Sequence, residues 1–270
     1  MLTWGPAVRV PIYQVDAFTN RRFAGNPAAV MVLKEFAQDA ALQAVAAENN
    51  LAETAFLVAD GSDYRLRWFT PAVEVPLCGH ATLASAAVIL ELLEPQRTQV
   101  VFHTASGPLT VRREQGLYVM DFPVRRSERA AVSEALVKAL GVRPLEVWVN
   151  PYNYVVLLAD AGVLRALSPD MDAIARLDRA GVIVTAPGDE GYDIVSRYFA
   201  PAKGIPEDPV TGSAHCALAP FWAPRLNKEA IWAYQASPRG GQLTCRLKGD
   251  RVQLEGSCVH YMRGEAHIDI

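Results

Sequence analysis

No segment of the 270-residue chain approaches the ~20 consecutive apolar residues a membrane span needs, and no basic start leads into an apolar stretch. A cytosolic protein is the expectation. Lys and Arg are nowhere gathered into a long run and the net charge is -3, which argues against nucleic acid or an anionic membrane as the main partner. A small metabolite fits better. The four cysteines, Cys78, Cys216, Cys245 and Cys258, are too few for a disulfide framework, and no two have the CxxC spacing of a zinc or redox centre. Ser213 sits in TGSAH and lacks the GxSxG elbow of a serine hydrolase.

What is present is a globular composition, 51% hydrophobic and 20% charged, in a chain long enough for one large or two compact domains. Val8 to Phe18 is β-branched and aromatic and predicts a strand. Glu35 to Glu48 places Leu42, Val45 and Ala46 at helical spacing. Strands are expected through Ala55–Val58 and Tyr64–Phe69, with a turn at Gly61. Hairpins are expected at Leu109–Val111 with Leu117–Phe122, and at Leu243–Leu247 with Val252–Leu254. Ser127 to Leu140, stopped by Gly141, predicts a helix, as does a segment opened by Ser168-Pro169 and ended near Gly181. Together these imply a mixed α+β architecture rather than a strict βαβ repeat.

Residues 67–76 read RWFTPAVEVP and 197–206 read RYFAPAKGIP, so an Arg, an aromatic, Phe, Pro, Ala and a second Pro recur in register. Each copy leads into an apolar helix, opened by Gly79-His80 in one case and, after three extra residues, by Gly212-Ser213 in the other. Duplication of a β-rich unit with one helix explains both, with a boundary near Pro123. The helix from Ala81 to Leu93 is apolar on every face until Glu91, so it should be buried all round. Both helix starts leave backbone N–H groups unpaired and attract anions.

Glu53, in NNLAETAFLV, is either a general acid/base in an apolar pocket or a solvated strand residue. Asp208, in EDPVTGSAH, and Ser213 are functional groups or simple caps. His80 is a catalytic group or a helix-start residue satisfied by backbone. Cys78 could be a thiolate lowered by the helix terminus, yet Thr211 stands where a two-cysteine racemase would need its second thiol. A structural role, or one behind the reacting groups, is expected for it.

The blocks VDAFTNRRFAGNPAAV (15–30), NNLAETAFL (49–57), RWFTPAVEVPLCGHATLASA (67–86) and EDPVTGSAHCALAPFW (207–222) resemble those of the PhzF-like family, which has the diaminopimelate epimerase fold. The resemblance implies two pseudosymmetric domains, each a β-barrel-like sheet around a central α-helix, spanning 1–122 and 123–261, with the last strand, 262–270, completing the first. It implies an active site in the cleft between them, no metal or organic cofactor, and often a homodimer. Glu53 would transfer the proton, and His80, Asp208 and Ser213 would bind substrate or assist. Gly79 and Gly212 would offer N–H groups to a substrate carboxylate. The expected activity is a cofactor-independent isomerisation of a small carboxylic acid. An amino-acid racemase or a non-catalytic metabolite-binding protein are the other readings.

Overall fold

The computed structural model describes residues 7–269. Ile270, in the expected last strand, lies outside them. The chain divides into two compact units, Met1–Asp121 with Gly256–Ile270 (unit 1) and Phe122–Glu255 (unit 2). Strands and helices alternate in both, an α+β fold.

Unit 1 begins with β1 (Ala7–Ala17), β2 (Asn26–Leu33), α1 (Asp39–Asn49), β3 (Glu53–Asp60) and β4 (Asp63–Phe69). It continues through a short β5 (Glu74–Val75), α2 (Gly79–Ala87), β6 (Gln99–Thr104), β7 (Gly107–Glu114) and β8 (Leu117–Pro123). Unit 2 holds β9 (Glu128–Ala130), α3 (Glu134–Leu140), β10 (Glu146–Val149), β11 (Asn153–Leu157), α4 (Ala161–Arg165), α5 (Met171–Ala175) and β12 (Gly181–Pro187). Then come β13 (Ile194–Ala200), β14 (Ile205–Glu207), α6 (Gly212–Leu226), β15 (Ala230–Gln235), β16 (Gly241–Lys248) and β17 (Arg251–Gly256). The chain returns to unit 1 as β18 (Cys258–Asp269), antiparallel to β1.

One pairing order occurs twice. In unit 1, β1–β2 is antiparallel, β2–β3 parallel, β3–β4 antiparallel, β4–β6 parallel, and β6–β7–β8 antiparallel. Unit 2 repeats this with β10–β11, β11–β12, β12–β13, β13–β15 and β15–β16–β17. Registers match as well: Ala28 faces Glu53 as Asn153 faces Gly181, and Ala55 faces Trp68 as Ile183 faces Tyr198. Each parallel pair is joined through at least one helix, as such connections require. β12 and β13 are buried along almost their whole length, which is why they read as apolar runs without alternation.

The helix opened by Gly79 packs against β1, β2, β3, β7 and β18, and every residue from His80 to Leu90 is buried. Its last turn, Val88–Leu93, is π-helical rather than α-helical. Glu91, the first charge, accepts hydrogen bonds from Tyr118 Oη (2.6 Å) and pairs with His260 Nε2 (3.0 Å).

Three helix expectations need correction. The first helix begins at Asp39, not Glu35. Ser127–Leu140 is not one helix: Glu128–Ala130 is drawn into pairing with β10, and Ser133 then caps α3 by accepting from Leu136 N–H. Between Ser168 and Gly181 only Met171–Ala175 is helical, capped by Asp170.

Candidate active site

Glu53 opens β3 with 8% of its surface exposed, so it is not a solvated strand residue. His80 is the second residue of α2 and equally buried. Its Nε2 lies 3.0 Å from Glu53 Oε2. The approach is that of an ion pair rather than a straight hydrogen bond, and neither atom has any other partner. On the far side of the ring, Nδ1 faces the Asn26 amide nitrogen at 3.1 Å and Cys78 Sγ at 3.5 Å. Nδ1 accepts from Asn26 and Cys78 only while the ring is neutral, and in that form the ring's own proton sits on Nε2, on the side of Glu53.

The sequence motifs did not single out Asn26. It is the first residue of β2 and wholly buried. Gly25 seats it from a left-handed conformation, φ +67°, where a Cβ would stand 2.2 Å from the Ala17 carbonyl oxygen. A Gly followed by an Asn at the mouth of an apolar run was the available signal.

Burial alone would strip His80 of its proton, but the negative charge available on Cys78 and Glu53 outweighs it and holds the imidazole well above the ordinary histidine range. Cys78 is buried too, and burial followed by the Glu53 charge pushes its thiol up. It stays protonated near neutrality, so Glu53 is the charge that matters to His80. The helix terminus does not make Cys78 a thiolate; it supports His80 from behind. Glu53, Cys78 and His80 bring donor atoms within 4.8 Å of one another, a set of metal-ligand types. Each is already turned on another member or held protonated, so a metal would have to displace those contacts.

In unit 2, Asp208, Gly212 and Ser213 lie together at the start of α6. The Asp208 carboxylate accepts from Thr211 Oγ1, and Gln235 ties the turn by accepting from Thr211 N–H (2.8 Å) and donating to Asp208 O (2.7 Å). Gln235 is wholly buried and was likewise not singled out. Asp208 therefore shapes the turn that leads into Thr211, the residue at the N-cap of α6. At α6 the residue before the helix caps none of the first N–H groups with its side chain, and at α2 the one side chain offered to them is the Cys78 thiol, toward Ala81 N–H, whereas Ser133, Asp160 and Asp170 cap α3, α4 and α5 with oxygen acceptors. Helix starts without an oxygen cap are suited to anions. One turn in, His215 Nδ1 meets Thr211 O at 2.8 Å and Nε2 meets Ser196 Oγ at 3.3 Å; burial lowers its pKa to about 4, so it is neutral.

A family model described as phenazine biosynthesis-like protein, PhzC-PhzF, matches residues 15–264. Two uncharacterized isomerases of Pseudomonas aeruginosa are 47% and 48% identical to the chain, each over 97% of it and 100% of the relative. A crystal structure of a PhzF-family phenazine biosynthesis protein from Enterococcus faecalis superposes with a TM-score of 0.93 at 44% identity, covering 96% of this chain and 99% of that one.

Proposed function

Since the chain belongs to the PhzF-like phenazine biosynthesis family, we propose that it is a cofactor-independent isomerase in which Glu53 moves a proton between two carbons of a small carboxylate-bearing substrate. The observation that carries this is the buried Glu53–His80 pair at a helix start without an oxygen cap. A carboxylate that is nearly dry and beside an imidazole is equipped to take a proton and to give it back.

The atoms balance without a co-reactant. Glu53 accepts a proton from a carbon acidified by neighbouring unsaturation or a carboxyl group, and the electron pair spreads into that system. The same carboxyl then delivers the proton to a second carbon, and the double bond moves. His80, carrying its proton toward Glu53, steadies the carboxylate before it takes the proton and again after it has given it back. In unit 1 the N–H group at Gly79 would meet charge that develops on the substrate, and in unit 2 Gly212, Asp208 and Ser213 are the corresponding candidates for binding or proton-assisting groups.

Glu53→Gln keeps the shape and removes the titrating oxygen. Unsaturated carboxylic acids are incubated with the protein in heavy water and followed by NMR. The wild type is expected to exchange or migrate a C–H proton, and E53Q to lose at least about a hundredfold in rate. Equal rates in the two proteins would overturn the assignment. Exchange with inversion and no double-bond migration would mark a racemase.

A further inference from the structure

A buried indole N–H ordinarily finds an acceptor, because leaving the bond unmade is costly. Trp148 Nε1 donates to Glu146 Oε2 at 2.7 Å and Trp222 Nε1 to Thr185 Oγ1 at 3.0 Å. Trp68 differs. Only 1% of its surface is exposed, and its Nε1 is buried with no acceptor among the described residues.

This donor lies on the face of the sheet that carries the acid. Trp68 pairs with Ala55 across β3 and β4, and Glu53 is two residues before Ala55, on the same face. The opposite face is that of Phe56 and Phe69, whose rings stand 5.6 Å apart and pack with Leu42 and Ala46 of α1. Trp68 and Glu53 therefore share the face on which Glu53 meets His80 of α2. They are diagonal cross-strand neighbours, a separation that an aromatic side chain spans. On its other edge Trp68 pairs with Val75, three residues before Cys78.

Unit 2 keeps a donor at the equivalent place and supplies its acceptor. Tyr198 stands where unit 1 has Trp68, Asn153 where it has Ala28, and Gly181 where it has Glu53. Tyr198 Oη donates to Asn153 Oδ1 at 3.1 Å. A Cβ on Gly181 would meet that oxygen at 2.3 Å and the hydroxyl at 2.4 Å, so the polar end of the residue at this place reaches the position that Glu53 holds in unit 1. In unit 1 the methyl of Ala28 replaces the amide of Asn153 and accepts nothing. The donor and the acid are kept together there, and the protein's own acceptor is gone.

We propose that the Trp68 indole N–H is a substrate-binding group of unit 1, donating to an oxygen of the substrate's carboxyl group beside the carbon presented to Glu53. An indole offers one donor and no charge, so it orients the carboxyl group without adding a cation that would compete with His80 for Glu53. As Glu53 removes the proton and the electron pair spreads toward the carboxyl group, the bond to that oxygen strengthens. The inference rests on the proposed carboxylate-bearing substrate and adds a residue that orients it. Trp68 moves no proton.

But-3-enoate, whose C2 protons lie between a carboxylate and a double bond, is the probe. The tryptophans are isotope-labelled and the Trp68 indole N–H signal is assigned by its loss in Trp68→Phe. Adding but-3-enoate to the wild type is expected to move that signal downfield, and in crystals of the complex Nε1 should lie within about 3.2 Å of a carboxyl oxygen. Trp68→Phe keeps an aromatic ring and removes the donor, and should bind but-3-enoate about fivefold more weakly. An unmoved Trp68 signal, a complex in which Nε1 holds a water and no ligand oxygen, or equal affinity in folded Trp68→Phe would each overturn the assignment. The crystal measurement uses the wild type alone and stands whether or not the variant folds. E53Q keeps the two proposals apart, since it should retain the Trp68 response while losing proton exchange. Loss of exchange in E53Q with an unmoved wild-type Trp68 signal removes the Trp68 assignment alone, whereas normal exchange in E53Q with a moved Trp68 signal removes the Glu53 assignment alone.

Discussion

His80 Nε2 rests 3.0 Å from Glu53 Oε2 with both side chains buried, and Glu53 is, after Cys78, one of the two neighbours that raise the imidazole's pKa against burial. With the carboxylate in place, the ring holds its proton well above the ordinary range despite burial. In E53Q only burial and the thiol remain, so the His80 titration, followed by its ring C–H resonance, is expected to move down. The folded chain binds this proton more tightly than the unfolded chain. The stabilisation is therefore fully present below about pH 6.5 and is lost as pH rises through the higher folded value. An unshifted His80 titration in E53Q would show that the pair is not coupled.

Gly25→Ala tests the backbone behind that contact. The new methyl would overlap the Ala17 carbonyl in a conformation L-residues seldom adopt, and Asn26 next to it holds the far side of the His80 ring. A loss of about 2 kcal/mol or more in urea unfolding is expected, with proton exchange reduced in the fraction that still folds. A variant as stable and as active as the wild type would mean that Asn26 is seated by something other than the Gly25 turn.

Much of the fold was legible because burial writes itself into residue patterns. Strands β3, β4, β7, β8, β16 and β17 lie where alternation and turn glycines put them. Helix limits were less legible, since Glu128–Ala130 becomes a strand only through β10, a partner sixteen or more residues away in the chain. The recurring Phe-x-Pro-Ala turn marked two equivalent β4 and β13 ends, and Glu53 was visible as a carboxylate among apolar residues. Asn26 and Gln235 were not, because an amide declares its role only through the atoms that surround it.

Arg67 and Arg197, equivalent in the repeated motif, each grip a glutamate through two parallel contacts: Glu74 at 2.7 and 2.7 Å, and Glu207 at 2.7 and 2.9 Å. The separation is 7 residues in the first copy and 10 in the second, so the three extra residues lie inside the loop and leave the clamp intact. Their surroundings differ. Side-chain exposures are 24% and 39% for Arg67 and Glu74 but 10% and 14% for Arg197 and Glu207. Glu207→Gln strands a buried guanidinium and is expected to cost about 3 kcal/mol, whereas Glu74→Gln should cost about 1 kcal/mol or less. Urea unfolding of the two variants decides it, and equal losses would contradict the ranking by burial.

His215 gives unit 2 an acid-sensitive point. Its pKa falls from an unfolded value near 6.5 to about 4, chiefly because burial penalises the charged ring, with the Thr211 carbonyl opposing in part. Between those values the unfolded chain binds the proton and the folded chain does not, so stability rises with pH across the window and is lost on acidification. The full difference is about 3 kcal/mol, reached near pH 4. Protonation adds a proton at Nε2, beside Ser196 Oγ, and leaves the Nδ1 contact with the Thr211 carbonyl in place, so the cost is that of a charge buried in the first turn of α6. His215→Gln keeps a donor for that carbonyl and removes the titration. Unfolding free energies measured from pH 4 to pH 7 should therefore fall less steeply with acid in this variant than in the wild type, and parallel curves would exclude His215 as the source.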